Sequence, residues 1–303
     1  MREFDFIQWI REQARFNPSL VEVGPGDDCA VLNLGGEKLL LTTDQVLDGV
    51  HFSLEDDGPE AAGRKAAARN LSDIAAMAGE PVAMLAALAA PQGFSQDDAQ
   101  AVYRGLATAG LEFNCPLVGG DVAAWHEDGR LIVTVTVLGR AGGVGPVLRS
   151  GARKLDAVCI TGRLGGAWNS RRDMTFTPRL FEARILAQQY GARAMIDLSD
   201  GLARDLGHIV EESHWAAEID AAAIPIHEDA AGRDDPLAAA LYDGEDYELL
   251  FALPPDECAR LLANPPFRTP VTRIGTMVPG LGMTLLRNGR REPLAPGGWE
   301  HQT

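Results

Sequence analysis

The stretch LLLTTDQVLDGVHF, residues 39–52, runs from three leucines into Thr42, Thr43 and Asp44, with Asp48 and His51 close behind. Its apolar start predicts a strand over 38–42, and that strand delivers a carboxylate at its tip. A buried carboxylate without a partner is costly, and the chain already carries 43 acidic against 27 basic residues, a net charge of −16. The same local event recurs elsewhere: an apolar strand or turn that ends in aspartate beside glycine or a hydroxyl. It is written as GPGDD (24–28), TTD (42–44), GGD (119–121) and DLSDG (197–201). A further carboxylate, Asp73 of NLSD, lies inside an alanine-rich run between Pro59 and Gly79, where Ile74 and Met77 mark a buried side. Helix interiors disfavour aspartate, so Asp73 needs a partner.

Each event taken alone has a plain explanation. Asp-Gly pairs make turns, Ser199 caps a helix, and Asp73 pairs with Arg69 one turn earlier. Repetition within one chain favours a shared purpose. Magnesium is a hard cation held by a few carboxylates, waters and substrate phosphates. Neighbouring glycines let backbone N–H groups approach phosphate oxygens.

The surrounding elements alternate helix and strand. Phe4–Arg15 has helical spacing, Pro59 opens the alanine-rich helix and Gly79 reads as its C-cap. Val82–Ala89 fits a strand or a short buried helix, with Pro81 and Pro91 favouring the strand. Ser95 with Asp98 opens the next helix as a capping box, and LIVTVTVL (131–138) is a strand by its β-branched residues. The glycine-rich stretch 141–156 has the composition of a connection. Beyond it come a strand at 157–161, a helix at 178–190, a strand at 194–196, a helix after Ser199-Asp200-Gly201 and a strand at 247–253. The expected fold is therefore α/β plus α+β in two domains, 1–145 and 146–303.

Charge and composition exclude several classes. So acidic a surface repels nucleic acid and anionic membranes. The longest apolar run, Val82–Ala90, is too short to cross a bilayer. The N-terminus lacks a signal-peptide core, and Cys29, Cys115, Cys159 and Cys258 show no zinc spacing. A cytoplasmic location is expected. The P-loop, dinucleotide-fold and protein-kinase signatures are absent, as is a GxSxG elbow.

In this order, GPGDDCAVL, TTDQVLDGVHF, GRKAAARNLSDIAAMAGEP, LVGGD, LRSGA, IDLSDGLARDLGHI and GEDYELLF resemble the superfamily of aminoimidazole ribonucleotide synthetase, selenophosphate synthetase and the hydrogenase-maturation dehydratase. Within it they are most similar to the thiamine-monophosphate kinase family, whose aromatic end the C-terminal GGWEH also matches. The resemblance implies an N-terminal mixed sheet with helices, a C-terminal α+β sandwich, and a homodimer through the N-terminal sheets. It implies ATP as phosphoryl donor, several Mg²⁺ ions, thiamine monophosphate as acceptor, and leaves a monovalent cation open. By this carry-over Asp28, Thr43, Asp44, Asp73, Asp121 and Asp197 bind metal, and Thr42 and Asp200 extend that shell. Tyr103, Gly120, Asp121, Arg149 and Ser199 fall at ATP positions, while His51, Glu245 and Trp299 fall at acceptor positions. An indole suits a cationic thiazolium and Arg149 a phosphate oxygen. Trp299 as a C-terminal core cap and His51 as a hydrogen-bonded core histidine remain the plain readings.

One segment departs from the family. After TGRLG (161–165), a longer insert is replaced by GAWNSRRDMTFTPR (166–179), on what the resemblance implies is the substrate side. Arg171 and Arg172 there either contact an acceptor phosphate or are solvated. The implied reaction is direct in-line transfer to thiamine monophosphate, whose phosphate is already anionic and needs no strong base. Two alternatives stand beside it: another ATP/Mg-dependent small-molecule kinase or synthetase of the superfamily, and a catalytically silent ATP-binding homologue.

Overall fold

The computed structural model describes residues 3–126 and 128–300. Two sheets organise them. The first takes β1 (Val21–Val23), β2 (Ala30–Leu34), β3 (Glu37–Leu47), β4 (Gly79–Ala90), β5 (Leu117–Ala124) and β6 (Ile132–Ala141), in the order β1-β2-β3-β6-β4-β5. Neighbours run antiparallel except β4 and β5, which are parallel. In β6, Val133, Val135 and Val137 are buried while Thr134 and Thr136 face the other way, the period of two that a one-sided sheet demands. The buried face is covered by α2 (Leu54–Ala76) and α3 (Gln96–Glu112). These helices approach closely because they meet at glycines: a Cβ on Gly105 would lie 1.9 Å from the Glu60 carbonyl oxygen. The opposite face stays open, with Leu41 and Leu85 exposed.

The second sheet uses β7 (Ala157–Thr161), β8 (Ala194–Asp197), β9 (Ala216–Asp220), β10 (Leu249–Leu253), β11 (Val271–Val278), β12 (Met283–Arg287) and β13 (Arg290–Leu294), ordered β13-β12-β9-β11-β7-β10-β8. Its centre is buried on both faces. Leu249, Phe251 and Leu253 of β10 join one core, Leu250 and Ala252 the other. The first core also holds α5 (Leu180–Tyr190), α8 (Pro255–Ala263) and the residues beneath α2, so apolar packing runs continuously from one sheet to the other. The second core is closed by α6 (Leu202–Ser213). The α/β plus α+β expectation holds. Two further helices, a short α4 (Ala167–Ser170) and α7 (Pro236–Tyr242), lie beside the site, and α1 (Glu3–Gln13) buries none of its residues.

Several boundaries move. The strand expected over 38–42 continues to Leu47 as β3, so Asp44 stands inside a strand, opposite Val135, and not at its tip. Pairing along the whole of β6 supplies the hydrogen bonds that propensity alone did not foresee. Likewise GGD lies within β5. Gly79 is not the C-cap of α2: Met77 is, Ala78 takes the left-handed turn (φ 54°), and Gly79 begins β4 because a Cβ there would strike Leu40. Pro59 does open a helix, for Gly58 (φ 76°) breaks the one preceding it. Among the described residues, no helix is long and apolar enough to cross a membrane.

Candidate active site

Helix α2 places the site. Lys65, Arg69, Ser72 and Asp73 recur at i, i+4, i+7 and i+8, which puts them on one face. Asp73 accepts a 2.6 Å hydrogen bond from the Thr42 hydroxyl of β3, and Ser72 donates one of 2.6 Å to Asp197 at the end of β8. Asp28, from the GPGDD loop, completes a trio: one oxygen each from Asp28, Asp73 and Asp197 lies within 4.8 Å of the others. The plain alternative, an Asp73–Arg69 pair, is not what the structure shows. Arg69 turns instead to Asp44, 3.2 Å away, and toward Glu245 at 4.0 Å.

The trio is short of positive charge. Burial, then repulsion from Asp44, Asp197 and Asp28, holds the Asp73 carboxyl well above the usual carboxylate range. Burial followed by the charge on Asp28 pushes Asp197 up to about 7. Arg149, set by a short turn at Arg149–Gly151, is the nearby cation; it donates to Asp28 at 2.7 Å, and its backbone N–H donates to Asp27. Asp200 is pushed up to about 7 by burial and by Glu3, with Arg69 and Arg204 opposing. Ser199 does not cap α6: the cap is Gly201, and the buried Asp205 carboxylate folds back to accept from the Asp200 and Gly201 amides. Ser199 offers its carbonyl to the Glu245 amide at 2.7 Å.

Strand alternation separates other members of the expected set. Thr42 and Asp44 share the face of Val137 and Val135, toward α2, whereas Thr43 points to the open face and bonds Thr136 and the Val135 carbonyl. Tyr103, Gly120 and Asp121 come together elsewhere, lining a hollow of about 370 Å³ between α3 and β5. Gly120 has a packing reason to be glycine, since a Cβ would sit 1.8 Å from the Ala86 carbonyl oxygen.

A larger cavity, about 890 Å³, is lined by His51, Trp168, Tyr242, Glu245 and Trp299 among others. The three expected acceptor residues therefore meet. His51 is buried; its Nδ1 accepts from the Leu47 amide at 3.1 Å, which leaves Nε2 to carry the proton. Glu245, at φ 60°, ion-pairs with Lys65 and accepts from the Tyr247 hydroxyl. Burial pushes its pKa up, but Lys65 and Arg69 more than offset that and hold it below the ordinary value. Trp299 is half exposed and donates its backbone N–H to the Asp200 carbonyl; His301 of GGWEH lies outside the described residues.

Of the two expectations for Arg171 and Arg172, simple solvation does not hold. Arg171 pairs with Asp57, and Arg172 bridges Asp229 at 3.1 Å and Asp246 at 3.0 Å, so both are engaged within the chain. The reduced TFTPR element still packs: Phe176 stacks on Tyr247 at 3.9 Å between ring centroids, and Arg179 bonds Glu248. Sequence reasoning missed Lys65, Asp173, Asp205 and Trp168 as parts of this region. For Lys65 a signal existed in its helical spacing to Arg69 and Asp73.

With this geometry, the chain was compared with known proteins. The family model of the AIR synthase related protein N-terminal domain matches residues 26–141. The thiamine-monophosphate kinase of Rhodopirellula baltica is 36% identical over 314 residues, covering 99% of this chain and 97% of that one. Its counterpart from Bacillus subtilis is 33% identical over 305 residues, covering 91% of each. Among solved structures, AaThiL complexed with AMPPCP and TMP superposes with a TM-score of 0.83 at 29% identity, covering 99% of this chain and 97% of that one. Likeness of sequence from end to end, on a fold that superposes over the same length, has one conclusion: the chain belongs to the thiamine-monophosphate kinase family.

Proposed function

We propose that the chain transfers the terminal phosphoryl group of ATP to the phosphate of thiamine monophosphate, giving thiamine diphosphate and ADP. The observation that carries this reading is the junction made by α2, with the Asp28–Asp73–Asp197 trio on one side and an aromatic, carboxylate-bearing cavity on the other. AaThiL binds AMPPCP, a non-hydrolysable ATP analogue, and TMP, which supports both substrates.

The donor set fits magnesium. It offers carboxylate oxygens with the Thr42 hydroxyl beside them, and the raised carboxyls of Asp73 and Asp197 mark negative charge that lacks a counterion. Asp28, Asp73 and Asp197 would hold the ion, with Asp44 and Asp200 as outer neighbours. When bound, Mg²⁺ supplies neutralisation of phosphate charge. The chain's own residues do the remainder. Arg149, kept at the trio by Asp28, orients a phosphate oxygen. Ser72 and Thr42 hold Asp197 and Asp73 in place, which limits the acceptor and donor to an aligned approach. His51, Glu245 and Trp299 hold the acceptor. Its phosphate is the nucleophile, so no residue is asked to remove a proton. In-line transfer without a phosphoenzyme follows from that economy.

Tyr103, Gly120 and Asp121 stand apart from Arg149 and Ser199 at the β5 edge of the first sheet, whose uncovered face exposes Leu41 and Leu85. This supports a homodimer through the first sheet, in which a second copy covers that face. The division into 1–145 and 146–303 is kept as part of the same reading, as is a cytoplasmic location.

Phosphorus NMR of the purified chain with ATP, Mg²⁺ and thiamine monophosphate tests it. Thiamine diphosphate and ADP in equal amounts are expected, with none in EDTA. ADP without thiamine diphosphate overturns the acceptor, and no turnover overturns the kinase reading.

A further inference from the structure

The segment 166–174 is built as a wall. Gly166 (φ 78°) and Arg171 (φ 63°) turn it left-handed at both ends of α4. The next residues are then tied to different parts of the molecule: Arg171 to Asp57, Arg172 to Asp229 and Asp246, and Asp173 to the fully buried Lys65 at 2.5 Å. Ala167 and Met174 are buried in this segment, yet Trp168 between them is 39% exposed and lines the large cavity with His51, Glu245 and Trp299. So much anchoring around one uncovered indole fixes where that ring stands.

The electrical surroundings of the ring narrow what it receives. The Arg171 guanidinium carbon lies 5.0 Å from its centroid and the Lys65 Nζ 5.3 Å. Both cations are themselves held by carboxylates, Arg171 by Asp57 and Lys65 by Asp173 and Glu245, so the cation–π positions at this ring are taken by the chain's own side chains and a neutral planar ring stacks on the indole without competing for them. The acceptor proposed above carries one ring of each kind, a cationic thiazolium and a neutral aminopyrimidine. We propose that Trp168 is a specificity-determining residue that stacks on the aminopyrimidine ring, and this rests on the acceptor reading of the preceding section. The cationic ring is then left to the part of the cavity near Trp299.

The test compares the parent chain with Trp168→Leu and Trp168→Phe at saturating Mg-ATP. It reads KM and kcat for thiamine monophosphate, and the Ki of a phosphorylated N-methylthiazolium fragment lacking the pyrimidine. Trp168→Leu is expected to raise the KM about tenfold, the scale of one lost ring stack, with kcat and the fragment Ki unchanged. Trp168→Phe, which keeps an aromatic plane, is expected to restore most of the KM. A general structural loss moves the fragment Ki in step with the KM, and that result overturns the proposal. An unchanged KM in Trp168→Leu overturns it too. Failure of the parent chain to use thiamine monophosphate at all overturns the acceptor reading, and this proposal falls with it.

Discussion

Two groups of charge flank the same helix and are built by opposite rules. Toward one side, Asp28, Asp73 and Asp197 gather negative charge, with Asp44 near and, among the described residues, only Arg149 paired directly to a member. Toward the other, Lys65 lies between Asp173 and Glu245, Arg172 between Asp229 and Asp246, and Arg179 against Glu248. In the second group five carboxylates share three cations of the chain, although burial still raises Asp173 and pushes Asp246 up to about 7. The first has one direct cation, Arg149 on Asp28, and the proposed Mg²⁺ would supply the remainder. The place where carboxylates stand with the fewest cations of the chain is the candidate ligand site. The ion-paired group instead ties α2 to the walls of the larger cavity.

The sharpest way to break this contrast is to remove one charge from each side. Asp73→Asn is expected to lower turnover by about 10³-fold or more, since a metal supplies several kcal/mol of charge stabilisation. Relief of repulsion should at the same time raise the Tm of the metal-free protein by roughly 2–4 °C for about 1 kcal/mol in a chain of this size. Melting curves in EDTA and in Mg²⁺ check both halves; a lower Tm in EDTA would show the trio to be a structural network like its neighbour.

Lys65→Met should do the reverse. Stranding Asp173 and Glu245 is expected to cost about 3–5 kcal/mol, the usual penalty for breaking a buried pair from one side. Adding Asp173→Asn should recover a good part of it in urea unfolding. A near-neutral single variant would mean that Lys65 contributes little as a charge.

Asp121 sharpens the boundary of the uncompensated group. It lies on the exposed β5, away from the trio. Asp121→Asn should weaken Mg-ATP binding about tenfold, or about 1.4 kcal/mol, with the Tm unmoved, as read by calorimetric titration. Equal affinities would take Asp121 out of the nucleotide site.

The smallest effect belongs to His208 of α6, which handles its surroundings by staying neutral. Burial, then Arg149, Arg204 and Arg11, lowers its pKa to about 3. The unfolded chain protonates this imidazole near pH 6.5, so its stabilising contribution is complete above about 6.5 and drains away as pH falls toward 3. The slope from this group is at most about 1.4 kcal/mol per pH unit. His208→Gln should flatten urea midpoints measured between pH 6.5 and 4; an unaltered slope would place the acid sensitivity elsewhere.

Much of this was legible from residue order. Pro59, the Ser95/Asp98 capping box and the threonine–valine alternation of β6 announce their elements, since those signals are local. Strands β9, β11, β12 and β13 were not anticipated, because their stability comes from neighbours distant in sequence. Among site residues, Asp28, Asp73 and Asp197 could be named from the repeated aspartate motifs, and His51, Glu245 and Trp299 from resemblance. The chain order could not say that Thr43 faces away from Thr42, because β3 runs five residues past its apolar start and alternation then assigns the faces. Nor could it say that Arg69 serves Asp44 or that Arg171 and Arg172 are already engaged, since a long cation reaches whichever carboxylate folding brings near.

Sequence by itself determined the family, the acidic clusters and the aromatic end, since composition and motif are carried one residue at a time. Tertiary structure alone decided which carboxylates share an ion-sized space, which are neutralised by the chain's own cations, and that Trp168 stands in the cavity wall. The physical reason is that charge compensation and ring placement depend on distances across elements more than 100 residues apart, as between Lys65 and Asp173 or Ser72 and Asp197.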